Sequence, residues 1–128
     1  MLESKYDEMT AALSKNGSAI IRDLDPEKAD LLHMAIGVSG EAGELLDAVK
    51  KSAIYGKSLD HKNMVEELGD LEFYMSRIRQ IIGVTRDEVL ERNFDKLSKR
   101  YSEGTYTNSQ AQKRMDKIIE SIEENYSA

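Results

Sequence analysis

DPEKADLLHMAIGVSGEAGELLDAVKKSAIYG, residues 25–56, opens with a helix start and closes with a helix stop. Asp25 stands where an N-cap belongs, Pro26 at the first helical position and Glu27 in the first turn. An acceptor side chain, a fixed φ and a negative charge each favour a helix end whose N–H groups lack partners. Gly56, after Tyr55, is the stop, since glycine readily takes the left-handed conformation that ends helices. The stretch predicts one long helix from Pro26 to about Tyr55.

Similar signals recur on both sides. Leu2, Tyr6, Met9 and Leu13 repeat at helical spacing and predict a first helix, ended by Asn16-Gly17-Ser18. A further helix is expected from near Asp60 to about Ile82, closed by Gly83. Thr85-Arg86-Asp87-Glu88 reads as a capping box. The helix it opens carries Leu90, Phe94, Leu97 and Tyr101 on one stripe and ends at Gly104. A last amphipathic stretch, about residues 108–125, groups Met115, Ile118, Ile119 and Ile122. Proline occurs once, and good helix formers dominate. The expectation is an all-α bundle of four or five helices without a sheet, one domain over residues 1–128 with its core at 26–106.

Composition excludes several classes. Lys and Arg total 18 against 24 Asp and Glu, a net charge of −6, which argues against gripping nucleic acid through bulk positive charge. There is no Cys, so disulfide scaffolds, thiolate zinc sites and cysteine nucleophiles drop out. No apolar run approaches the about 18 residues of a membrane span, and Met1-Leu2-Glu3-Ser4-Lys5 has no secretory character. A soluble, cytoplasmic domain with no nucleic-acid or membrane partner is expected.

Two tetrads are hard to read as ordinary surface. Glu41-Ala42-Gly43-Glu44 and Glu67-Leu68-Gly69-Asp70 share the order acid, apolar, glycine, acid on consecutive helices. An i,i+3 pair lies about 60° apart around a helix, so each helix presents two carboxylates side by side. Glycine within a helix costs about 1 kcal/mol relative to Ala, yet Gly37, Gly40, Gly43 and Gly69 all stand there. Small residues beside acids suggest two helices pressed together with four carboxylates converging. Such a cluster calls for a cation. Neither tetrad has His at i+3, and in the one acid–His pair, Asp30/His33, Asp30 lies about 16 Å before Glu41 along the helix. An all-carboxylate set favours Mg²⁺, with Mn²⁺ able to substitute. The bland alternative is two solvated acidic faces.

Cations near the acids suggest a phosphate ligand. Lys51 follows Glu44 by seven residues, close to the same stripe, and an i,i+4 pair with Asp47 explains it equally well. Asn93, Lys96 and Arg100 share a polar face opposite the Leu90/Phe94/Leu97 stripe, which a solvated basic face near a helix C-terminus also explains.

The stretch from His33 to Lys51 with Tyr55-Gly56-Lys57, the segment Glu66 to Leu71, and Asn93 to Tyr101 together resemble the MazG-like all-α nucleoside triphosphate pyrophosphohydrolases over about residues 28–106. The E-x-x-E…E-x-x-D signature falls on Glu41, Glu44, Glu67 and Asp70, and N-x-x-K-L-x-x-R-Y on residues 93–101. Ser102 and Tyr106 depart from the family's frequent Pro and Phe. The resemblance implies hydrolysis of a nucleoside triphosphate to monophosphate and pyrophosphate. Glu41, Glu44, Glu67 and Asp70 would hold Mg²⁺, Glu41 being chosen as general base. Asn93, Lys96, Arg100 and Lys51 would take phosphate oxygens. His33 and Tyr74 would line the base pocket, although a lone helical His is commonly structural and an aromatic at Tyr74's spacing is commonly core. Unpaired apolar stripes, among them Met115/Ile118/Ile122, suggest oligomerisation through helix faces, and the family assembles as homodimers or homotetramers. Rival readings are a phosphoribosyl-ATP pyrophosphohydrolase, an all-α dUTPase, or a non-catalytic helical adaptor.

Overall fold

The structure, a computed structural model, describes residues 1–127. Its elements are α1 Leu2–Leu13, α2 Gly17–Asp23, α3 Pro26–Ala53, α4 His61–Ile82, α5 Arg86–Arg100, α6 Asn108–Lys113 and α7 Met115–Ser127. The expected all-α architecture is the one observed. Five helices of at least 12 residues carry it, joined by two short ones.

The long helix follows its start signal. The Lys28 backbone N–H donates to Asp25 Oδ1 at 2.8 Å, and Pro26 occupies the first turn. Gly56, at φ +67°, sits in the left-handed region just beyond the helix end. The Asn63 N–H donates to Asp60 Oδ1 at 3.0 Å at the start of α4. The capping box also forms: the Thr85 N–H donates to Glu88 Oε2 at 2.6 Å, and the Glu88 N–H to Thr85 Oγ1 at 3.1 Å. That bonding holds the Glu88 carboxyl below its ordinary value, since the backbone N–H favours the charged form.

Two expectations change. Asn16-Gly17-Ser18 does not simply end the first helix. α1 stops at an extended Ser14, and Asn16 Oδ1 accepts from the Ser18 N–H at 2.8 Å to start α2. Asn serves both ends equally well, and only the chain direction decides. The C-terminal stretch is two helices, broken at Arg114 with φ +51°. No glycine or proline announces that break. A left-handed non-glycine residue costs about 1–2 kcal/mol, and the docking of α7 on α5 compensates.

The chain divides into two compact units, Met1–Ile81 and a second from Ile82 onward. Within the first, α3 and α4 run antiparallel: Gly37 meets Tyr74, and Glu41 meets the Glu67–Asp70 turn. Their less exposed positions include a seam on each helix, Met34, Val38, Glu41, Leu45, Ala48 and Ser52 on α3 and Met64, Glu67, Leu71, Tyr74, Ile78 and Ile81 on α4. Alternating steps of three and four give the heptad spacing of paired helices. Gly37 alone among the α3 and α4 glycines has a neighbour where a Cβ would stand, the Tyr74 ring. Gly40, Gly43 and Gly69 meet nothing within 4 Å, so the expected glycine-mediated close approach is confined to Gly37. The second unit is built on α5, against which α6 and α7 pack.

Candidate metal centre

The seams explain why acids converge. Glu41 and Glu67 occupy seam positions that elsewhere hold Leu45, Leu71 or Ala48, so their carboxylates face each other across the helix pair. Asp70, one turn beyond Glu67, joins them. One oxygen from each of Glu41, Glu67 and Asp70 lies within 4.8 Å of the others. Glu67 is only 8% exposed. Glu44 falls outside this close set and acts on Glu67 through space. The seam ranks the four acids in a way the two i,i+3 pairs do not. Its heptad spacing is present in the sequence and singles out Glu41 and Glu67.

Burial pushes the Glu67 carboxyl above its ordinary value, and the adjacent Glu41 carboxyl adds to that shift. The charges of Glu44, Glu41 and Asp70 push in the same direction. Three oxygen donors facing a partly buried point fit a hard divalent cation. The nearby cation Lys51 is committed elsewhere, 2.8 Å from Asp47 Oδ2. That pair lowers the Asp47 carboxyl and raises the Lys51 ammonium through a direct hydrogen bond. The i,i+4 reading of Lys51 is thus realised here.

The remaining residues are placed as follows. His33 is exposed on α3, beside the seam position of Met34. The Tyr74 ring lies on the Gly37 backbone and meets Phe73 edge-on, centroids 5.1 Å apart. Asn93 and Lys96 are exposed on α5 in the second unit. Arg100 is not a free basic face. Its Nε donates to Asp116 Oδ1 at 2.9 Å and its Nη2 to Asp116 Oδ2 at 3.1 Å. Asp116 is a partner that sequence reading missed, because a single helix over about residues 108–125 gives no sign of the turn that brings it to Arg100.

These groups give opposite pH signatures. Glu67 has a raised folded value, so its favourable contribution is complete below the ordinary 4.5 and is lost as pH rises through the raised value. Asp116, lowered first by its hydrogen bond to Arg100, contributes above the ordinary 3.8 and loses this as pH falls through its folded value. Metal-free protein is therefore expected to melt higher at about pH 5 than at about pH 8, and to weaken again in stronger acid. Glu67→Gln removes the first slope. A melting series in chelator that is flat from neutral to mild acid would refute the assignment.

Comparison with known families gives one match. The family model of the MazG nucleotide pyrophosphohydrolase domain matches residues 29–105, more than half of the chain, spanning both acid tetrads and the α5 polar face. No curated protein and no solved structure gives a significant match.

Proposed function

This chain belongs to the MazG nucleotide pyrophosphohydrolase family, and we propose that it hydrolyses nucleoside triphosphates to the monophosphate and pyrophosphate in a Mg²⁺-dependent reaction that cleans or regulates the cytoplasmic nucleotide pool. The supporting observation is the carboxylate set Glu41, Glu67 and Asp70, gathered within 4.8 Å around a buried Glu67. Glu41, Glu67 and Asp70 would hold the ion, with Glu44 at the edge of the set; Mn²⁺ would substitute. Such an ion lowers the pKa of a water and offsets phosphate charge. Glu41 accepts the proton of the attacking water. The water oxygen bonds to phosphorus, the bridging P–O bond breaks, and pyrophosphate leaves with that electron pair.

Asn93, Lys96 and Arg100 bind phosphate oxygens and stabilise the leaving pyrophosphate. Lys51 joins them only by releasing Asp47. His33 and Tyr74 border the base, Tyr74 with its ring also seated on Gly37. Among the described residues no helix is long and apolar enough to cross a membrane.

The protein works as a homodimer or homotetramer. Ala48 is the one buried apolar residue among those described, while Ile36, Leu46, Val65 and Phe73 are 62%, 67%, 69% and 64% exposed. So much exposed apolar surface on one helix pair supports this reading. A second copy of the chain would cover these faces.

A panel of canonical and modified (d)NTPs with Mg²⁺, read by pyrophosphate release, tests the reaction, and light scattering on the same sample tests the assembly. Release is expected for a subset of bases and is lost in chelator. No release from any member overturns the activity, and a monomer at working concentration overturns the assembly.

A further inference from the structure

Two side chains bind α7 to α5 with more than ordinary packing. Asp116 is 4% exposed, and its two oxygens each take one donor from the same edge of Arg100, itself 17% exposed. Tyr101 is a further hydrogen-bonding neighbour of the guanidinium. A planar fork gripped along one edge cannot swing, and N–H donors remain on its other side.

The surroundings differ. A groove of about 330 Å³ lies between α5 and α7, lined by Arg92, Lys96, Lys99 and Lys117 alongside Asp95, Asp116, Glu120 and Glu123. Lys99 is held by Asp95 at 3.4 Å and Glu123 at 3.9 Å, and Lys117 by Glu120 at 3.0 Å. Arg92 and Lys96 carry no ion pair among the described residues. Of the two, Arg92 feels the Glu88 charge one turn away, so Lys96 is the α5 cation left open to an anion. Arg100, one turn beyond Lys96 on α5, is paired as well, but its donors are not exhausted.

We propose that Asp116 is a positioning residue for phosphate binding: it fixes the Arg100 guanidinium so that the donors left over meet a substrate phosphate oxygen beside Lys96. This rests on the phosphate role given to Arg100 above. The α7 helix then has a part in phosphate binding. The left-handed turn at Arg114 is what lets α7 start directly opposite Arg100.

The test is calorimetric titration of the full chain with inorganic tripolyphosphate in Mg²⁺, for the wild type, Arg100→Ala, Asp116→Asn, Asp116→Ala, Asp116→Glu and the Arg100→Ala/Asp116→Ala pair. Far-ultraviolet dichroism and melting report the fold of each. Losing one charged hydrogen bond to phosphate weakens binding about tenfold or more. That loss is expected for Arg100→Ala and for both neutral Asp116 variants. Asp116→Glu recovers part of it, and the double variant binds no worse than Arg100→Ala alone, because one pathway has been cut twice. A purely structural Asp116 would lower the melting point of Asp116→Asn and leave its affinity unchanged, which overturns the proposal. Additive losses, or no binding by the wild type, overturn it as well. If the expected binding pattern appears but no (d)NTP is hydrolysed, the activity falls and this inference stands. Turnover without the pattern has the converse meaning.

Discussion

Glu67→Gln is expected to abolish turnover while making the metal-free protein more stable. The two effects share one cause. Glu67 sits on the α3–α4 seam, 8% exposed, with Glu41, Glu44 and Asp70 around it. Its charge is unfavourable in the empty fold and useful only when a cation is bound. Gln keeps the shape and removes the charge, so the seam relaxes and the melting point in chelator rises at neutral pH. The same change removes a ligand charge worth several kcal/mol of transition-state stabilisation, hence a fall in kcat/KM of about a thousandfold. Asp70→Asn should lose activity similarly, with a smaller gain in stability because Asp70 is more exposed. Pyrophosphate release and calorimetric Mg²⁺ titration provide the measurement. If both variants retain wild-type rates, the carboxylate set is not the reaction centre.

The second large effect is expected at Gly37. Alanine there places a methyl group into the Tyr74 ring, which packs directly on the glycine. The ring is not the free end of a flexible chain, so α3 and α4 must separate or Tyr74 must leave the seam. Overpacking of this kind costs about 1–3 kcal/mol, partly offset by the about 1 kcal/mol that Ala gains over Gly within a helix. Glu41 lies about one turn along α3 from Gly37, so splaying the helices also separates Glu41 from Glu67 and turnover falls. Gly40→Ala is the control. It has open space around it, and it should raise stability by about 0.5–1 kcal/mol. Thermal melts of the two variants and of Gly37→Ala/Tyr74→Ala separate the cases: the double variant recovers helix pairing, read as a melting point above that of Gly37→Ala, if the clash is the cause. Equal melting of Gly37→Ala and Gly40→Ala would disprove the close contact.

Several features were legible in the residues alone. Asp25-Pro26-Glu27, the Thr85–Glu88 box and the stops at Gly56, Gly83 and Gly104 are local devices, each satisfied by atoms a few residues away. The helices they bound follow closely. The acid tetrads were legible as two pairs because i,i+3 spacing is also local. Asn16 shows the limit of local reading, since the same residue type serves a helix end and a helix start.

What folding alone decided is which residues meet across chain distances. Helical spacing says which side chains share a face, but not which face turns toward a neighbour. The antiparallel pairing of α3 and α4 put Glu41, Glu67 and Asp70 together and left Glu44 at the rim. It also spent Gly37, and not Gly43 or Gly69, on close approach. The turn at Arg114 brought Asp116 back to Arg100, sixteen residues away in sequence, converting an apparently solvated arginine into one held along an edge. Bonds of short sequence separation are fixed by residue type, whereas partners brought together by packing are chosen by the geometry of whole helices. The ends of α3, α4 and α5 therefore came from the sequence, whereas the break at Arg114, the carboxylate cluster and the Arg100 clamp came from the tertiary structure.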